Sequence, residues 1–187
     1  NNGENTAAPK WVGHDVREVV PVTMKMGDGT EYETHLVKGC KCTAENTKVS
    51  PNGKWIATKY CEDSVSDDGI SMYTSETPAF YNTETETTVI VNDYGSGSGT
   101  HVTDDGIGFI GLGSLGISSG RVYDCNTRTD LGTTQEWVYD NYGIIIPNCY
   151  VTSISPDGTV VFGRYLESSA GGHMKFPGWY VAPPVAE

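Results

Sequence analysis

Apolar and polar positions along the chain alternate or gather in short runs, and the runs are bounded by Gly, Asp, Asn and Pro. Alternation with period two places successive side chains on opposite faces of a strand, and turn residues mark where each strand must end. On this basis Val16–Met26 and Glu31–Gly39 read as two strands joined by the turn Gly27-Asp28-Gly29-Thr30. Thr87–Asn92 reads as another strand, and Leu131–Asp140 as its counterpart later in the chain, with Trp137 and Tyr139 on one strand face. Composition sharpens this picture. Thr, Val and Ile greatly outnumber Leu and Ala, and branching at Cβ costs rotamer freedom in a helix while suiting a pleated sheet. The expected fold class is all-β.

The pattern also repeats. VSPNGKWIATKY from Val49, VTDDGIGFIGLG from Val102 and ISPDGTVVFGRY from Ile154 align without gaps, and their turn glycines Gly53, Gly106 and Gly158 stand 53 and then 52 residues apart. Each is an apolar residue, Ser or Thr, a turn ending in Gly, and an apolar strand. Gly takes the positive φ that such turns require, and a Pro just before presets the bend. A looser second element follows: AFYNTET around Tyr81, RVYDCNTRTD around Tyr123 and GWYV around Tyr180. One segment competes for the register, VSDDGISMYT from Val65, and reads as the second hairpin of the first unit. The units fall near residues 49–101, 102–153 and 154–182, within one domain spanning 11–187.

The SPNGK, TDDGI and SPDGT turns, each leading into an apolar strand, together with the AFYNTETET and RVYDCNTRTD segments, resemble the WD-like repeats of TolB-type and HAF-type β-propellers. The resemblance covers roughly residues 49–182 and implies blades of antiparallel strands. It implies nothing specific about function, because propellers host many unrelated roles. Three units fall short of the usual four to eight blades. The strands of residues 11–48 could supply part of another unit. The expectation is therefore a partial propeller, a small four-bladed ring, or a half-ring completed by a second copy.

Charge narrows the partners. The chain carries 24 acidic and 12 basic residues, for a net charge of −12, a surface that repels phosphate backbones and disfavours nucleic-acid binding. No apolar run reaches the ~18 residues of a membrane-spanning helix. The opening NNGENTAAPK (residues 1–10) reads as a disordered polar leader, like the tether behind a lipid-modified cysteine, and Asn-x-Ser/Thr sequons are absent. These features point to a secreted, periplasmic or cell-surface location. Five cysteines, Cys40, Cys42, Cys61, Cys125 and Cys149, leave one over if the rest pair. The C-x-C spacing of Cys40 and Cys42 is one residue short for a zinc knuckle, so buried thiols or a disulfide are expected rather than a metal.

Little in the sequence spells a reaction. Gly116–Gly120 matches the G-x-S-x-G of a hydrolase elbow around Ser118, but that elbow needs a helix after the serine, and Arg121-Val122-Tyr123 reads as strand. His14, His35, His101 and His173 share no ligand spacing. The acidic clusters Asp63/Asp67/Asp68 and Asp104/Asp105 miss the calcium-loop spacing, since Val65 stands where an oxygen ligand is needed. No cofactor or metal site is expected. The aromatic residues are the best hint: Trp137, Tyr139, Tyr142 and Trp179 offer flat faces with polar tips, suited to stacking on sugars or to protein contacts. The expected function is a non-catalytic binding or scaffold module for a protein or glycan. The alternative is a propeller-type hydrolase or glycan-degrading enzyme, or a subunit of one, with acidic residues on its loops.

Overall fold

The computed structural model describes residues 16–40, 48–95, 97–112, 119–147, 149–155, 159–165, 167–168, 174–175 and 177–182. The leader, Cys42, Ser118, Gly158, His14 and His173 lie outside them. The fold is all-β and its sheets are antiparallel, one of them curled into a half-barrel. The first sheet contains β1 (Val16–Lys25), β2 (Glu31–Cys40), β3 (Lys48–Val49), β4 (Trp55–Val65), β5 (Met72–Asn82) and β6 (Thr87–Ile90). The middle sheet is a four-stranded meander of β7 (Gly97–Val102), β8 (Ile107–Leu112), β9 (Ser119–Asp124) and β10 (Thr129–Thr133). A helix, α1 (Thr134–Tyr142), follows it. The third sheet is formed by β11 (Cys149–Ile154), β12 (Val161–Tyr165) and β15 (Gly178–Val181), with a small hairpin, β13 (Glu167–Ser168) and β14 (Met174–Lys175), inserted before its last strand.

Each repeat of the sequence is a hairpin in a different sheet: β3–β4, β7–β8 and β11–β12. The Ser or Thr before the turn explains why these segments share a local structure. Its hydroxyl accepts a hydrogen bond from the backbone where the next strand begins: Trp55 N–H on Ser50 (3.0 Å), Ile107 N–H on Thr103 (2.9 Å) and Val160 N–H on Ser155 (2.9 Å). The competing segment makes the same turn, with Ser71 N–H on the Ser66 hydroxyl at 2.9 Å. It closes the β4–β5 hairpin, as the second-hairpin reading expects.

These turn bonds correct the gapless alignment. Four residues lie between Ser50 and Trp55, and between Ser155 and Val160, but only three lie between Thr103 and Ile107. The strand of the second unit is therefore shifted by one residue, which on a pleated sheet exchanges its two faces. With that shift, three cross-strand pairs become equivalent: Ala57 with Phe80, Phe109 with Val122, and Phe162 with Tyr180. The first pair is buried against the middle sheet, in a cluster with Val102, Ile110, Tyr123 and Cys125. The second pair is buried against the third sheet and α1, in a cluster with Val138, Val151, Val161 and Val181. The sheets stack head to tail, an arrangement compatible with successive propeller blades.

Two further expectations change. Val16–Met26 and Glu31–Gly39 do form a hairpin, but it is not part of a separate unit. β2 pairs directly with β4, Lys38 to Cys40 opposite Glu62 to Tyr60, so the hairpin widens the first sheet. With the distal half of β4–β5 it forms an arm, and Lys25 N–H closes it with a 2.9 Å bond to the Gly69 carbonyl. Leu131–Asp140 is strand only as far as Thr133 and helix from Thr134. Strand β10 stops at Thr133, whose hydroxyl accepts from Glu136 N–H while the Glu136 carboxylate accepts from Thr133 N–H at 2.8 Å. This capping box satisfies amide groups that the first helical turn would otherwise leave unpaired. At the other end Gly143 takes a left-handed conformation, φ 68°, and its N–H returns to the Tyr139 carbonyl. Replacing Thr133 by alanine should lower stability by about 1 kcal/mol, readable as a shift in the urea midpoint at unchanged slope.

Candidate ligand cleft

Helix α1 decides where the expected aromatic residues go. Residues two apart on a helix do not share a face, so Trp137 and Tyr139 diverge where a strand would have kept them together. Trp137 turns toward the core: its ring meets Phe109 edge-on, with centroids 5.2 Å apart, and Tyr142 at 5.9 Å. Tyr139 is exposed and lines a shallow depression with Leu131, Gln135, Glu136, Asp140 and Ile145. Trp179 packs against the cluster between the middle and third sheets, its indole N–H buried without a partner. Of the four candidates, Trp137 and Tyr142 are brought together, while Tyr139 and Trp179 are placed elsewhere.

Trp137 and Tyr142 form one wall of a cleft of about 420 Å³ between α1, the β7–β8 turn and Thr159 of the third sheet's turn. Thr103, Asp104, Asp105 and Ile107 of the turn and Asn141 of the helix complete the lining. The polar groups are held by short local bonds. Asp104 accepts the Asn52 N–H of the neighbouring sheet's turn at 2.8 Å, which ties the two turns together. The Thr103 hydroxyl donates to the Asp105 carboxylate, and the Asp105 carbonyl accepts from the Asn126 side chain at 2.6 Å. Tyr142 donates its hydroxyl to the Thr159 carbonyl at 3.1 Å, and burial raises its pKa above the ordinary value. Asn141 donates to the Trp137 carbonyl at 2.8 Å, which leaves the acceptor capacity of its side-chain oxygen unused by that bond.

The result is a cleft lined by two aromatic rings and by the oxygen-bearing side chains of Thr103, Asp104, Asp105 and Asn141. Sequence reasoning missed Asp104 and Asp105 as partners of these aromatics, having weighed the acidic turns as a calcium loop or as the catalytic groups of the hydrolase alternative. The signal that could have joined them is the T-T-Q-E capping box, which predicts a helix and so a wall placed beside the Asp-Gly turn. Among the described residues no group of His, Cys, Asp and Glu is arranged to hold a metal ion. No described helix is long and apolar enough to cross a membrane. Comparison of the chain with protein-family models, curated proteins and solved structures finds no match.

Proposed function

We propose that this chain is a non-catalytic binding module, built from propeller-type blades and acting in a secreted, periplasmic or surface-tethered setting, that takes a glycan into the cleft between α1 and the β7–β8 turn. The observation that carries the reading is the juxtaposition of Trp137 and Tyr142 with Asp104, Asp105 and Asn141. Sugars combine apolar C–H faces, which suit aromatic walls, with hydroxyl donors, which suit carboxylate and amide oxygens. Rigid sheets and a doubly capped helix hold these groups in place before any ligand arrives, which lowers the ordering cost of binding.

The hydrolase alternative has less support. Asp104 is engaged by a backbone amide and Asp105 by Thr103. Asp68 accepts from the Ser66 hydroxyl and the Ile70 N–H, which hold its carboxyl below its ordinary pKa, the opposite of what a general acid needs.

Glycan-array screening followed by calorimetry tests the reading. Wild type should bind at least one oligosaccharide class, and Asn141→Ala should weaken that binding by about tenfold, one good hydrogen bond, at unchanged melting temperature. Trp137→Ala should abolish it. Arrays blank for the wild type, or binding that survives both substitutions, would refute the assignment.

A further inference from the structure

We propose that the ligand of the cleft between α1 and the β7–β8 turn is a cationic glycan, an oligosaccharide whose hexoses carry a free, protonated amine. The inference rests on the glycan reading and names the class of sugar within it. A charge imbalance carries it. Asp104 and Asp105 line the cleft together with Thr103, Ile107, Trp137 and Tyr142, and no lysine or arginine is among its lining residues. The ion pairs among the described residues all lie elsewhere, on Lys38, Lys54, Lys59 and Arg121.

The bonds that the two carboxylates do make come from neutral donors. Asp104 accepts the Asn52 N–H at 2.8 Å, and Asp105 accepts the Thr103 hydroxyl. An ionised carboxylate has about four lone-pair sites, so each keeps acceptor capacity and its charge. A ligand entering here displaces the water that solvates that charge and must replace what the water gave. A neutral hydroxyl replaces the hydrogen bonds alone. An ammonium replaces both: it brings three donors and no acceptor, and its bonds to a carboxylate are about twice as strong as neutral ones. Neighbouring aromatic rings attract it further. A uronic acid or sulfated sugar would bring another negative charge to a place where no cation receives it, so the cleft discriminates against acidic glycans.

The field of the whole molecule acts in the same direction. A net charge of −12 draws cations to the surface and repels polyanions within about a Debye length, ~10 Å at 0.1 M salt. A lysine-rich peptide carries the same ammonium group, but the lining suits it less. Thr103, Asp104 and Asp105 belong to a turn, Ile107 to β8, which is bonded to β7 and β9 on its two sides, and Trp137 and Tyr142 to α1. None of these residues lies on a free strand edge, where an extended peptide backbone would pair. A cleft of about 420 Å³ with two aromatic side chains is on the scale of sites for small ligands.

Calorimetry on the full chain with three tetrasaccharides tests the assignment: a β-1,4-linked glucosamine tetramer, its N-acetylated form, which keeps the rings and loses the charge, and a uronic acid tetramer. Wild type should bind the amine form at least about tenfold more tightly than the acetylated form, lose most of that ratio at about 0.5 M salt, and give no binding heat with the uronic acid. Asp104→Asn and Asp105→Asn keep size and an acceptor oxygen while removing charge. Each should lower the ratio about threefold, one exposed charge contact, and together they should bring it to about one. If the double variant does not fold by circular dichroism, Asp105→Asn, whose side chain is exposed, carries the test alone. Binding of the acetylated form, or of any neutral array glycan, as tight as that of the amine form overturns the proposal and leaves the glycan reading standing. Failure of every glycan removes both. A preference for the amine that survives the substitutions, or tetralysine bound as tightly as the glucosamine tetramer, also overturns it.

Discussion

Among the described glycines, Gly108 should be the most damaging to replace by alanine. A Cβ at this position would lie 2.4 Å from the Phe80 ring, and Phe80, on β5, has nowhere to retreat because it is fully buried between the first and middle sheets. Overpacking of this kind costs about 3 kcal/mol, which for a domain of this size lowers the melting temperature by roughly 6–12 °C. The cause is testable through its partner. Phe80→Leu alone is destabilising, since it leaves a void in the cluster, but in the Gly108→Ala background it should return more than half of the lost stability. Differential scanning calorimetry on the four proteins of that cycle reads the coupling. Simple additivity of the two losses would show that the clash is absorbed elsewhere.

Acidification should weaken the fold through His101. This residue sits in β7, an edge strand of the middle sheet, with its Nδ1 buried and unpartnered. Burial, reinforced by the positive charge of Lys48, lowers its pKa to about 4 from an ordinary 6.5. Between those values the unfolded chain binds a proton that the folded chain refuses, so the contribution is whole above the unfolded pKa and is lost as pH falls toward the folded one. The shift sets an upper figure of about 3 kcal/mol. Urea denaturation at neutral pH and near pH 4 should show His101→Gln losing less stability on acidification than wild type by about that amount. Equal losses in the two proteins would remove His101 from the account of acid sensitivity.

What could be read in advance was what local chemistry dictates. The Ser-x-Asn-Gly and Thr-Asp-Asp-Gly corners each build a hydrogen-bonded turn from their own side chains, as Asn52 does with Lys54 N–H at 2.9 Å and Asp68 with Ile70 N–H at 3.0 Å. Such turns need no tertiary help, so both the repeat and its imitation at Ser66 were visible. The register after the second corner was not, because it depends on one residue fewer in the β7–β8 turn, and glycine spacing alone does not report which face a strand presents. Helix α1 went unseen for a related reason. Trp137, Val138 and Tyr139 favour strand on propensity, but the Thr133–Glu136 box and the Gly143 terminus outweigh that preference. The error mattered for the site, since it kept Tyr139 beside Trp137 and Tyr142 and left out the Asp104 turn. Gly108 was likewise opaque: only the ring of Phe80, distant in sequence, explains why the position tolerates no side chain.

The head-to-tail stacking also orders how the molecule comes apart. Each sheet hides large residues under the one that follows, so opening should start at the sheet that no further described sheet covers, at β12 and β15, and travel back toward β4 and β5. Amide protons of the third sheet should then trade with solvent soonest in the lone chain, and those around Phe80 last, a gradient of breathing laid along the polypeptide rather than one all-or-none transition.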